Sequence, residues 1–297
     1  MAPYLGREEL TMDIYVQSRG FEQDYDYRWL QIYGDGSIKR QIPPLSPEVI
    51  DLIDGDALSI VLARLDTQKL LLLVTGIEPD GRIDFLGRQI RISLAWLGVN
   101  SDQYLLRKLA AHILNEDELK DFTAEINQAI ILGGEEGFQA RLEHMQTITQ
   151  LKLEELSTGT PPDLTKKIGC NSVKLRNQLA LELQQSYLPT EIGSLVIVTG
   201  IQERENLENA QVWRSLSTLV EAEDWQEISS SAVPSVEDIW HNFDYQDILK
   251  RPLCLANQLL SYRQHFLAYL LSLLKEVLSL NNKESQSKND ADGDKFS

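Results

Sequence analysis

The chain has little of what recognisable chemistry is usually made from. Among 297 residues there are two cysteines, Cys170 and Cys254, too few for the disulfide framework of a small secreted protein. Four histidines, His112, His144, His241 and His265, stand in no HExxH or HxE–CxxC arrangement, so no metal site is predicted. There is no GxxxxGK(S/T) loop, and no GxGxxG follows a strand-like run; neither nucleotide fingerprint is present. No uninterrupted apolar segment is long enough to span a bilayer, and residues 1–10 are short, mixed and charged, unlike a signal peptide. The expectation is a cytoplasmic chain with no cofactor and no membrane contact.

Positive charge is scarce as well. Lys and Arg number 28 against 45 Asp and Glu, a net charge of −17. Such a chain repels nucleic acid and anionic lipid on average. The deficit is uneven. Residues 202–247 hold eleven acids against Arg204 and Arg214, while 164–181 hold Lys166, Lys167, Lys174 and Arg176 and no acid. The acidic stretch reads as solvated surface. The basic one is the candidate nucleic-acid contact.

What the chain does have is material for a core, 42% hydrophobic residues, arranged in two kinds of period. Residues 12–18 (MDIYVQS) and 27–33 (YRWLQIY) alternate and read as strands. Pro43, Pro44 and Pro47 forbid ladder pairing around them, and Ser46 followed by Pro47 opens a short helix through Ile53. Apolar runs at 57–65 and 69–77 flank Asp66-Thr67-Gln68 as a hairpin. From 102 onward the period moves to 3.6, with helices expected at 102–114, 117–132 and 135–156, the last two parted by Gly133-Gly134. STGTPPD at 157–163 reads as a linker. A basic helix at 172–187, a strand at 194–201, a helix within 207–221 and a loop around 229–234 follow.

Residues 253–280 carry two adjacent apolar stripes at helical spacing, the mark of a helix buried on two sides or seated on a partner protein. Residues 281–297 are almost wholly polar and are expected to be disordered. The fold class is therefore α+β. A β-rich module spans 1–100, and a helical segment at 101–156 packs on it. An α-rich module follows at 164–280, with a strand near 194–201, and then the tail.

The densest cluster of candidate site residues follows the Glu78-Pro79-Asp80-Gly81 turn: Arg82, Asp84, Arg88 and Arg91. If 82–98 is one unbroken strand, Arg82, Asp84 and Arg88 share a face. Apolar residues, however, sit at odd positions at Ile83 and Phe85 and at even ones at Ile90, Ile92 and Leu94. An extra residue near Gly87 would realign them and put Arg82, Asp84, Gln89 and Arg91 on the polar face, with Arg88 at the bulge. In either register two arginines beside a carboxylate suit a phosphate or carboxylate ligand. Arg19, Asp24 and Arg28 would extend the cluster across the sheet. The bland alternative is an ion pair on a half-exposed sheet face.

Other signals are weaker in kind. Residues 161–180 (PPDLTKKIGCNSVKLRNQLA) have a helix-turn-helix flavour, with a first helix ending at Ile168, Gly169 at the turn and Ser172 capping a second helix that bears Lys174, Arg176 and Asn177. Lysines near Cys170 favour a thiolate, but no histidine partner motif accompanies it. LVTGI at 73–77 and IVTGI at 197–201 are alike, as strand ends that turn at a glycine are.

Within residues 59–97, Arg82-Ile83-Asp84-Phe85-Leu86-Gly87-Arg88 resembles the R-x-D-x-x-G-R strand of N-terminal domains in bacterial GTPase-associated proteins, components of multi-gene conflict systems. The aromatic and histidine context usual after that motif is absent beyond Arg88. The resemblance implies an adaptor role and transfers no functional residue. With no catalytic constellation, the sequence points to a non-enzymatic interaction or regulatory protein. It leaves two alternatives. One is a hydrolase or transferase in which Arg82 with Arg88 or Arg91 binds an anionic substrate and Asp84 or Asp24 serves as base or metal ligand. The other is a nucleic-acid-binding regulator using 161–180.

Overall fold

Strands form where apolar side chains alternate. In the computed structural model, β1 (Asp13–Ser18) pairs antiparallel with β2 (Arg28–Ile32), Val16 opposite Leu30, and β3 (Ile38–Arg40) continues outward. The Ser46 hydroxyl accepts the Val49 N–H and Pro47 opens the single-turn helix α1 (Pro47–Ile50), as the capping pattern predicts. β4 (Ser59–Arg64) and β5 (Lys69–Ile77) make the expected hairpin, with Asp66 Oδ1 accepting the N–H groups of Gln68 and Lys69. β6 (Ile92–Val99) lies between β5 and β1.

The structure describes residues 12–33, 35–149 and 159–228, all within a unit that spans 1–229; a second unit covers 230–297. The expected loop at 229–234, the helix at 253–280 and the tail at 281–297 lie outside the described residues, as do 150–158.

A 3-10 turn at Asn100–Asp102 leads into α2 (Gln103–Leu114), and Asn115 caps α3 (Glu116–Ala129) by accepting the N–H groups of Asp117 and Glu118. The helices expected at 117–132 and 135–156 are shorter than their periodicity. Ile130–Leu132 is a strand, β7, and pairs with β8 (Phe138–Ala140); the next helix, α4, runs over Leu142–Thr149. Gly133, Gly134 and Gly137 all have positive φ, at 113°, 84° and 82°. The glycines thus reverse the chain into a hairpin instead of only ending a helix.

Beyond the expected linker come β9 (Lys167–Cys170), α5 (Val173–Gln185), β10 (Gly193–Thr199), α6 (Arg204–Asn209), β11 (Arg214–Ser217) and β12 (Gln226–Glu227). Here the structure departs from the expected α-rich module. Its strands join those of the first hundred residues in one ten-stranded sheet of order β12-β9-β11-β10-β4-β5-β6-β1-β2-β3. β10 lies antiparallel on β4, Ile197 opposite Val61, while β9, β10 and β11 run parallel. The helix expected within 207–221 ends at Asn209, and β11 takes its place. All four residues of β11 are buried, so Arg-Ser-Leu-Ser shows no apolar alternation to read. The chain is mixed α+β.

The sheet has two covered faces. Ile60, Leu62, Leu70, Leu72, Val74, Leu94 and Trp96 meet α2 to α5. Val61, Ala63, Leu71, Leu73, Ala95 and Ile197 face the other way, where Val49, Leu52 and Leu207 pack. A register shift between Ser194 and Val196 lets both Leu195 and Val196 join the first face. The two similar pentapeptides flank β4, with Val74 and Val198 each opposite Ile60. Among the described residues no helix is long and apolar enough to cross a membrane.

Candidate functional site

Three loops meet at one end of the sheet: 19–27 between β1 and β2, 78–91 between β5 and β6, and 133–137 between β7 and β8. The Phe85 N–H donates to the Phe21 carbonyl at 2.9 Å. Gly20 and Gly137 touch so closely that a Cβ on Gly20 would lie 2.8 Å from the Gly137 Cα. Only glycine at both positions permits that approach.

Residues 82–91 are neither an unbroken strand nor a bulged one. The Asp84 N–H donates to the Arg88 carbonyl, the Gly87 N–H to Asp84 and the Ile90 N–H to Arg82, each at 2.9 Å. Gly87 has φ 76°. This is a three-residue hairpin loop with its last residue left-handed, and β6 begins only at Ile92. The break falls at Gly87 as the apolar parity suggests, but the chain reverses there, so Ile83 and Phe85 never enter the core.

The reversal distributes the four candidate residues. Asp84, only 2% exposed, is the hub. Its Oδ1 accepts the N–H groups of Leu86 and Arg88, each at 2.9 Å, and its Oδ2 accepts Arg88 Nε at 2.8 Å and lies 3.2 Å from Arg19 Nη1. Desolvation pushes the Asp84 carboxyl up, but the Arg88 N–H, the Arg88 guanidinium and the Leu86 N–H outweigh it and hold the group below its ordinary value. Arg82 turns away to Asn127, donating to its Oδ1 at 2.7 Å and its carbonyl at 2.9 Å. Arg91 pairs with Glu78. Of the four, only Asp84 and Arg88 are brought together, and Arg19 joins them across the sheet. Arg28 instead shares Glu136 with Arg40, at 3.1 and 2.7 Å, while Asp24 offers Arg28 only its carbonyl. Glu136 was not legible as a partner because 96 and 108 residues separate it from those arginines.

What this ionic knot carries on its outside is apolar. Phe21 is 51% exposed, Ile83 48%, Phe85 39% and Leu86 63%. Four large hydrophobic side chains on two hydrogen-bonded loops are a concentration that isolated surface leucines are not.

The other expected sites fare differently. The helix-turn-helix is not formed, because its first helix is β9; Lys167 to Cys170 are held in the sheet by pairing with β11. Only the second helix, with the Ser172 hydroxyl accepting the Leu175 N–H, is as expected. Each basic residue faces an acid: Lys166 with Glu191 at 3.5 Å, Lys167 with Asp163 at 2.7 Å, Lys174 with Asp224, and Arg176 with Glu116 at 3.9 Å. Cys170 ends β9 half-buried, its N–H donating to the Ala222 carbonyl at 2.7 Å. His112 Nδ1 lies 2.6 Å from Glu118 Oε2, beside a cavity of about 360 Å³ that Asp121 and Glu125 also line. His144 is exposed on α4. Among the described residues no three His, Cys, Asp or Glu are grouped to hold a metal.

Comparison of the chain with known protein families, characterised proteins and solved structures finds no match.

Proposed function

We propose that this chain is a non-enzymatic interaction protein, an adaptor in a multi-component system, and that it docks a protein partner on the apolar tip formed by Phe21, Ile83, Phe85 and Leu86. The observation that carries the reading is Asp84. A buried carboxylate that takes two backbone N–H groups and two guanidinium groups holds the tip in one shape. Rigid presentation of a few large apolar anchors is what an interface hot spot needs, since less ordering entropy is then lost on binding. The resemblance of the R-x-D-x-x-G-R run to GTPase-associated proteins points to the same role.

The arrangement favours this over the enzyme reading. A substrate-binding arginine needs free donors that a ligand can reach, whereas Arg88 is engaged by Asp84 and Arg82 by Asn127, with only the buried Arg82 Nη1 left without a partner. The nucleic-acid reading meets a carboxylate opposite each of its four cations.

The test replaces Phe85 and Leu86 with Asp in the full chain. Both are surface residues, so stability should change by less than about 1 kcal/mol. A partner retained by the native protein from its own cells should be lost by the double variant. Recovery of the same partner at the same yield from both would remove the tip from the proposal.

A further inference from the structure

Two arginines lie buried away from the apolar tip and, among the described residues, pair with no carboxylate. Arg64, at the end of β4, is 5% exposed; Arg107, on α2, is 1% exposed. Arg64 donates from Nε and Nη2 to the Pro189 carbonyl, at 3.2 and 3.1 Å, and from Nη1 to Asn100 Oδ1. Arg107 donates to the Ser186 carbonyl, lies 5.3 Å from the Tyr187 ring centroid, and keeps its buried Nε without an acceptor. All these acceptors are neutral. At the tip Arg82 likewise faces only neutral acceptors, on Asn127, whereas Arg19 has Asp84 and Arg214 has Glu182. A buried cation facing only neutral dipoles is costly unless something else supplies the charge.

Arg64 borders a cleft of about 640 Å³, within the range of small-ligand sites. Its walls are Pro161, Pro162, Leu164, Tyr187 and Leu188, and among the described residues no carboxylate lines it. In a chain of net charge −17 an acid-free cleft is a conspicuous exception. Three of the five guanidinium N–H bonds of Arg64 are committed, which leaves one on each terminal nitrogen. Two neighbouring donors on a planar fork are the complement of a carboxylate. Arg107 sits behind the Tyr187 wall and adds to the positive field. Burial pulls both guanidinium groups below their ordinary values, opposed at Arg107 only in part by Tyr187 and Tyr104.

We propose that this cleft binds a small organic carboxylate, with the anion on the fork of Arg64 and an apolar body against Pro161, Pro162, Leu164 and Tyr187. One fork with apolar walls suits a single carboxylate on a hydrocarbon body better than a multiply charged phosphate, which would need further cations around it.

Titration of the full chain with 4-phenylbutyrate and with its uncharged amide, followed by amide chemical shifts, tests this. The carboxylate should bind at least about tenfold more tightly than the amide, with the shifts centred on 100–103, 187, 188 and 190. Arg64→Gln should abolish that preference. Should that variant fail to fold, Leu164→Asp serves: Leu164 is 64% exposed, and a carboxylate at the lip should weaken the anion and spare the amide. Equal affinity for acid and amide, or an unchanged preference in both variants, would overturn the proposal. So would inorganic phosphate binding as well as phenylbutyrate, which would show that the apolar walls do nothing. A peptide with a free C-terminus that outcompetes every small carboxylate would assign the cleft to a partner chain instead.

Discussion

Asp84 and Arg88 close their own turn twice over. Asp84 Oδ1 accepts the Arg88 backbone N–H at 2.9 Å, while Oδ2 accepts the Arg88 side chain through Nε at 2.8 Å. The spacing of the R-x-D-x-x-G-R run follows from this. The acid must precede the arginine by four residues to reach both groups, and the glycine between them must be left-handed for the chain to reverse. Asp84→Asn keeps the shape but removes the charge that Arg19 and Arg88 share. The Leu86 and Arg88 amides should then exchange with solvent about tenfold faster or more, and the partner bound by the apolar tip should be lost along with them. Unchanged exchange at both amides would show that backbone geometry alone holds the turn.

Acid should open the same turn. Because the folded Asp84 carboxyl lies below its ordinary value of 3.8, folding stabilises its ionised form. That contribution is complete above the ordinary value and disappears as the pH falls through the lowered folded one. The amide shifts of 84–88 should therefore hold steady from pH 7 to about 4 and move below it. In Asp84→Asn that acid-dependent movement should be missing. A transition centred near neutrality would place its origin in some other group.

The two look-alike pentapeptides separate under substitution. Gly76 has φ 70°, and a Cβ there would lie 2.0 Å from the Ala57 carbonyl oxygen; at Gly200 the nearest atom would be 3.8 Å away. Gly76→Ala combines a left-handed backbone with a clash and should cost at least about 2 kcal/mol. Gly200→Ala should stay within about 0.5 kcal/mol. Urea denaturation of the two variants checks the contrast, and equal losses would contradict it.

The sequence made the central strands legible because burial on two faces writes them as continuous apolar runs. β1 and β2 fall where strand-like patterning places them, and β4 and β5 where two apolar runs flank turn residues. β9 and β11 do not announce themselves: four residues each, one carrying Lys, Gly and Cys, the other Arg and two serines, stabilised by parallel partners distant in sequence. The candidate site was half legible. The residue types around Gly87 marked an ionic cluster, but parity assumes a continuing strand, and a reversal moves Arg82 and Arg91 out of reach of Asp84. Nothing local could show that Arg19, Glu136 or Asn127 would supply the partners.

Arg214 shows how far a long-range partner matters. Its side chain, 1% exposed, donates to Glu182 on α5 through Nε at 2.8 Å and Nη2 at 2.5 Å, and to the carbonyls of Asp163 and Trp213 at 3.3 and 2.9 Å. It thereby joins β11, α5 and the segment before β9. Glu182→Ala would leave this guanidinium buried without its bidentate carboxylate, a loss of about 3–5 kcal/mol for a fully buried pair. The Glu182 side chain is 24% exposed and Asp163 Oδ2 remains 3.6 Å away, so about 2–3 kcal/mol is expected in this setting. Glu182→Gln keeps an acceptor and should cost about half as much. In urea the midpoint should fall in that order with an unchanged slope. A loss under about 0.5 kcal/mol for Glu182→Ala would show that the carbonyls alone hold Arg214, and that the tie between α5 and the parallel strands is made by packing.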